Sequence, residues 1–199
     1  MKQAVVFFFI ILIAIQAKGK PRLSSYEFLW ALRHPFAAIK IKGIHRKASV
    51  IYSQQKLKQE PDSFSVNGKL DAFRHVFFMA AFSQKVKAKK VIRLGKAYEN
   101  ANYRQFKRDP ERNKVQQDSL STVMDLKNNL IGIGLGRDCR NCSLEELRKK
   151  VMELIHEEKV CYILRNNEGR YLNSANEEIK LNDYMGKWFI PFVLLEPKP

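Results

Sequence analysis

Residues 70–84 read LDAFRHVFFMAAFSQ, and the fold turns on this stretch. It is rich in Phe, Ala and Met and holds no Gly or Pro. Its apolar positions recur at helical rather than alternating spacing. The spacing predicts a compact apolar helix from Leu70 to about Gln84. Three polar residues interrupt it. Asp71 and His75 stand at i and i+4 and share a face, and Arg74 lies beside them.

Two further helices are expected downstream. One runs from Val86 to about Phe106 and is strongly basic; the other runs from Asp118 to about Leu130. Charged residues 107–117, with Asp109-Pro110, form the connection. Gly132-Ile133-Gly134-Leu135-Gly136 is expected to end the third helix. It is not a nucleotide-binding fingerprint, because it follows a helix instead of joining a strand to one. Ser143 and Glu146 form a capping box, and the helix they start has Leu144, Leu147, Val151, Leu154 and Ile155 on one face. Val160–Leu164, the turn Asn166-Asn167-Glu168-Gly169 and Arg170–Leu172 read as a small β-hairpin. The apolar, Pro-punctuated tail Trp188–Leu195 is expected to be extended.

Upstream, Glu60–Lys69 is a loop by its Pro61-Asp62 and Asn67-Gly68 chemistry. From Phe36 to about Lys58, the positions Phe36, Ile39, Ile44, Ala48 and Ile51 fit a helix face. The alternation Ile39-Lys40-Ile41-Lys42 and the presence of Gly43 count against that helix. Ser24-Ser25-Tyr26-Glu27 starts a short helix that Pro35 either stops or succeeds. There is no internal repeat. The expected fold is mainly α: a single helical domain over residues 18–158, with a C-terminal β-hairpin and extended tail over 159–199.

The first 17 residues read as a secretory signal peptide. Lys2 supplies the positive start, Ala4–Ile15 the apolar run, and Ala17 a small residue at the cut. That run is too short to span a bilayer; the competing reading is an uncleaved anchor. No later stretch is long and apolar enough to span. Cleavage removes one cation from a formal charge of +16. The basic excess favours anionic partners, such as phospholipid head groups, acidic glycans or nucleic acid. Export places the chain in a periplasmic or extracellular, oxidising setting. There Cys139, Cys142 and Cys161 are disulfide candidates with one thiol left over. A lone C-x-x-C at Cys139–Cys142 lacks the second pair of a zinc ribbon.

Polar residues recur in the three central helices: Asp71, Arg74 and His75; then Glu99 and Asn100; then Asp125, Asn128 and Asn129. His75, Glu99 and Asp125 are the candidate catalytic groups, with Asp71, Arg74, Asn128 and Asn129 in support. The ligand types suit a divalent cation or a general base. Asp71 could hold the His75 ring, and Arg74 a phosphate or carboxylate. The alternative is a buried network that fixes helix packing without catalysis. Catalysis requires convergence in an accessible pocket, and a His75 sealed from solvent argues against it.

These residues resemble a bacterial domain family of uncharacterised function, with motifs D-x-F-R-H, H-E and M-D-x-x-N-N in that order. Here they are Asp71-Ala72-Phe73-Arg74-His75, Tyr98-Glu99 and Met124-Asp125-Leu126-Lys127-Asn128-Asn129. His34-Pro35-Phe36-Ala37-Ala38 resembles the start of that family's first long helix. The family occurs in exported proteins and at the ends of toxin-like proteins. The resemblance spans roughly residues 30–135. It implies an all-helical core that gathers the polar groups, and it names no reaction. Tyr98 stands where the pattern has His, which puts a catalytic role for that position in doubt. Arg74-His75 is more weakly similar to secreted bacterial phospholipases A2, but Val76 stands where those have Asp, and no calcium loop is recognisable.

Between Lys85 and Lys114 lie eleven Lys or Arg and three acids, interleaved with Tyr98, Tyr103 and Phe106. Such a stretch suits an anionic membrane surface, or less readily single-stranded nucleic acid; otherwise it is a solvated helix face. Two functions follow as expectations. One is an exported basic protein binding an anionic envelope or extracellular partner. The other is a secreted hydrolase, metal-dependent or not, acting on a phosphodiester or lipid through the His/Glu/Asp/Asn cluster.

Overall fold

A computed structural model describes residues 23–110 and 118–198. The signal-peptide reading of residues 1–17 and most of the 107–117 connection lie outside the described residues. The described residues hold six α-helices: α1 Ser25–Arg33, α2 Pro35–Leu57, α3 Lys69–Ser83, α4 Ala88–Arg108, α5 Ser119–Asp138 and α6 Leu144–His156. The strands β1 Tyr162–Ile163 and β2 Leu194–Leu195 pair antiparallel. The mainly α class holds.

Capping chemistry sets the helix starts. Ser24 with Glu27, and Ser143 with Glu146, form reciprocal capping boxes. Pro35 opens α2, its missing N–H being one a helix start leaves unpaired anyway. The Asp62 carboxylate accepts from the backbone N–H groups of Lys69 (2.7 Å) and Leu70 (3.0 Å), closing the start of α3.

α3 lies at the centre. Phe73, Val76, Phe77 and Ala80 are fully buried, and Phe73 stacks on Phe77 at 5.3 Å. α2, α5 and α6 pack around it; α4 packs chiefly on α1 and α5. The Trp30 indole donates to the Lys90 carbonyl at 2.9 Å, latching α1 to α4. The strand-like alternation at residues 39–42 is overridden: α2 is helical throughout. Its buried face is Ala37, Ile41, Ala48 and Gln55, whereas Phe36 and Ile39, expected on one face with Ala48, turn to solvent.

One expected boundary is wrong. The glycine run does not end α5, which continues to Asp138. A Cβ on Gly132 would lie 2.3 Å from the Val76 carbonyl oxygen, and one on Gly136 would lie 2.1 Å from that of Ala80. These glycines let α5 approach the α3 backbone closely, and that packing outweighs their poor helix propensity.

The C-terminal turn forms as expected. Asn166 Oδ1 accepts from the N–H groups of Glu168 and Arg170, and Gly169 takes φ +82°. It closes a single bridge, Arg165 to Tyr171, while the regular ladder joins Tyr162–Ile163 to the tail at Leu194–Leu195. Cys139 and Cys142 form a disulfide; Cys161 is a buried free thiol, and burial pushes it up to about 11.

Candidate functional site

α3 and α5 bring one set of polar groups together. Asp71 stands in the first turn of α3, where its Oδ2 accepts from the Asn67 backbone N–H at 2.6 Å. Its Oδ1 ion-pairs with Arg74 Nη2 at 2.6 Å. The same Nη2 lies 2.9 Å from His75 Nε2. A guanidinium nitrogen can only donate, so Nε2 accepts and Nδ1 carries the ring proton. Nδ1–H accordingly donates to Asn129 Oδ1 at 3.0 Å. His75 Nε2 therefore presents a lone pair to Asp125 Oδ1 at 3.2 Å and Asp71 Oδ1 at 3.7 Å.

The cluster is dry. Asp71 is 2 % exposed, Glu99 and Asp125 5 % each and His75 6 %, while the Arg74 side chain keeps 32 %. Burial, then Arg74, lowers His75 to about 4, so the imidazole is neutral at physiological pH. Burial raises Glu99 to about 7. Burial, then the charges of Asp71 and Glu99, raises Asp125 well above the carboxylate range. Asp71 Oδ1, Glu99 Oε1 and Asp125 Oδ1 are buried without a directed hydrogen bond among the described residues. Burying such groups costs several kcal/mol unless something compensates.

Of the residues expected at the site, Asp71, Arg74, His75, Asp125 and Asn129 meet directly. Glu99 faces them from α4 within electrostatic reach and also lines a surface cavity of about 340 Å³ with Tyr103, Leu126 and Trp188. Asn128 does not join them. Its amide turns the other way and clamps Cys161, donating to its carbonyl at 2.8 Å and accepting from its N–H at 2.9 Å. Tyr98 is half-exposed beside Arg74. Two contributors were missed in the sequence. The Asn67 backbone at φ +60° was legible only as part of an Asn-Gly turn. Gly95 lies where a Cβ would come within 2.8 Å of Asn129 Nδ2. Of the three candidate catalytic groups, His75 and Asp125 meet at 3.2 Å while Glu99 is not in contact with either, and His75 is almost wholly buried with Arg74 bonded to its Nε2.

A second feature lies on the opposite side of α2. Phe36 (81 % exposed), Ile39 (57 %), Val50 (58 %) and Leu57 (84 %) form a stripe at helical spacing on its outer face. From Pro35 to Lys58 there are six Lys or Arg, all exposed, and no Asp or Glu. Lys40, Lys47 and Lys58 flank one side of the stripe and Arg46 the other. On α4, by contrast, the basic side chains other than Lys90 are exposed but the apolar face is consumed: Val91 and Phe106 are buried, and Phe106 packs on Trp188 at 4.8 Å. The aromatic platforms expected there reduce to half-exposed Tyr98 and Tyr103. No helix among the described residues is long and apolar enough to cross a membrane.

Fold and cluster together define a mainly helical domain with a buried carboxylate–imidazole–guanidinium centre. A family model described as a domain of unknown function, DUF6973, matches residues 28–159, and the chain belongs to that family. The match takes in every member of the cluster and stops before β1. No curated protein and no solved structure matches.

Proposed function

We propose that the protein is an exported bacterial peripheral protein that lies on an anionic membrane surface through the outer face of α2. The observation that carries this reading is the exposed stripe Phe36, Ile39, Val50 and Leu57, framed by cations with no acid between Pro35 and Lys58. Four large apolar side chains exposed along one helix face are surface that a solvated helix has no need of and that suits an interaction site. A helix with this pattern settles at the head-group boundary, apolar side chains inward and cations at the lipid phosphates. Each Lys or Arg near an anionic surface contributes about 1 kcal/mol. The buried, mutually bonded cluster is compatible with this role, which needs no open pocket.

Co-sedimentation with vesicles tests it. The chain is expected to bind vesicles containing phosphatidylglycerol, to ignore pure phosphatidylcholine, and to lose affinity as salt rises. Phe36→Ser with Leu57→Ser should weaken binding strongly, while charge reversal on α4 at Lys89 and Arg93 should weaken it mildly. Equal binding to both vesicle types, or none, overturns the reading.

One observation favours the second reading, a phosphodiester or lipid hydrolase: Glu99 belongs both to the cluster and to the wall of the cavity. Hydrolysis through His75 would require Arg74 to swing aside. Generic phosphodiester and lipid substrates, assayed with His75→Ala as control, test that reading; wild type as inactive as the variant dismisses it.

A further inference from the structure

We propose that Asp71 Oδ1, His75 Nε2 and Asp125 Oδ1 form a binding site for a divalent transition-metal cation. One ligand atom from each of the three residues lies within 4.8 Å of the others, and the residues come from two turns of α3 and one of α5. The argument is geometric and independent of the α2 surface.

The bond to Asn129 fixes the His75 ring with its Nε2 lone pair facing Asp125 Oδ1, itself an acceptor, at 3.2 Å. Nε2 is met by Arg74, whereas the buried Asp125 Oδ1 has no hydrogen bond among the described residues and faces the ring nitrogen unpaired. A proton is a poor fit, since 3.2 Å is long for a carboxylic O–H donating to a ring nitrogen. A metal suits this 3.2 Å pair, since ligands at about 2.1 Å from one ion stand about 3.0–3.4 Å apart for octahedral to tetrahedral angles; Asp71 Oδ1, at 3.7 Å from Nε2, would close by a few tenths of an ångström on binding. Asn129 supplies the outer partner that metal-bound imidazoles characteristically have, holding the second ring nitrogen.

Charge points the same way. In the deprotonated form that metal ligands take, Asp71 and Asp125 with Glu99 would set three negative charges against one on Arg74, an excess of two. One divalent cation cancels it. Arg74 Nη2 now stands at the convergence point, 2.6 Å from Asp71 Oδ1 and 2.9 Å from His75 Nε2. Arg74 is partly exposed and can retreat along the surface. One imidazole with carboxylates suits Mn²⁺ or Zn²⁺ better than Ca²⁺ or Mg²⁺, which favour all-oxygen shells.

The test is the metal content and thermal stability of the chelator-treated full chain after dialysis against Mn²⁺ or Zn²⁺. The expected result is one ion per chain with a raised Tm, lost in His75→Ala and Asp125→Asn. Asn129→Ala should bind about 10–100-fold more weakly. Arg74→Gln alters a partly exposed position and removes the competing guanidinium, so it should fold and bind at least about tenfold more tightly. The site is refuted if wild type and a folded Arg74→Gln both stay metal-free, or if His75→Ala and Asp125→Asn bind as well as wild type.

Discussion

At the scale of single residues, the cluster makes stability depend on pH in two opposing ways. Glu99 is raised to about 7 from an ordinary 4.5, so the folded chain keeps a proton that the unfolded chain releases. Its contribution to stability therefore falls as pH rises from 4.5 to about 7. His75 is lowered to about 4 from 6.5, so the unfolded chain takes up a proton that the folded chain refuses. Its contribution rises with pH across that window. The two offset each other up to 6.5. Above it the decline due to Glu99 stands uncovered, reinforced by the raised Asp125. In chelator-treated protein, Tm should fall between about pH 6 and about pH 8, and Glu99→Gln should flatten that fall and raise Tm at the upper end. A wild-type Tm that climbs over this range contradicts the assignment. Much of the cluster was legible in the sequence, because i, i+4 spacing places Asp71 and His75 on one face. Asn128 was not separable from Asn129: adjacent helical positions point about 100° apart, and only the location of Cys161 shows which amide serves which face.

At the scale of elements, the informative misreading is the end of α5. Glycines at residues 132, 134 and 136 look like a helix terminator, since local propensity disfavours them. The α3–α5 contact overrides it, and that contact requires both partner sequences at once. The same geometry separates glycines that look alike. At Gly134 a Cβ would meet nothing within 4 Å. Gly134→Ala should therefore stabilise by up to about 1 kcal/mol through helix propensity. Gly136→Ala forces a Cβ to within 2.1 Å of the Ala80 carbonyl oxygen, with the Ser83 hydroxyl at 2.3 Å. It should destabilise by about 3 kcal/mol, lowering Tm by about 2–4 °C for each kcal/mol. Thermal melts of the two variants check the pair; similar shifts of one sign would show that α3 and α5 are not in backbone contact. The capping boxes of α1 and α6 were legible because their signal is local, whereas β1 finds its partner thirty residues away in the tail.

At the scale of the whole molecule, a net charge of +16 favours anionic partners in general and does not single out a surface. The sequence drew attention to the basic stretch from Lys85 to Lys114, where cations are densest. α4 nevertheless spends its apolar face on α1 and α5, leaving a solvated basic surface. α2 is apolar on two faces, at positions 37, 41 and 48 and again at 36, 39, 50 and 57, and periodicity cannot say which face α3 will cover. The fold covers the first and leaves the second open among unopposed cations. The most direct test places a polarity-sensitive fluorophore on a cysteine at Leu57→Cys, or for comparison at Glu153→Cys on the exposed side of α6, with buried Cys161 out of reach. On adding phosphatidylglycerol vesicles, the probe at position 57 should shift its emission to the blue and the probe at 153 should not. No shift at 57, or equal shifts at both positions, would contradict docking through α2.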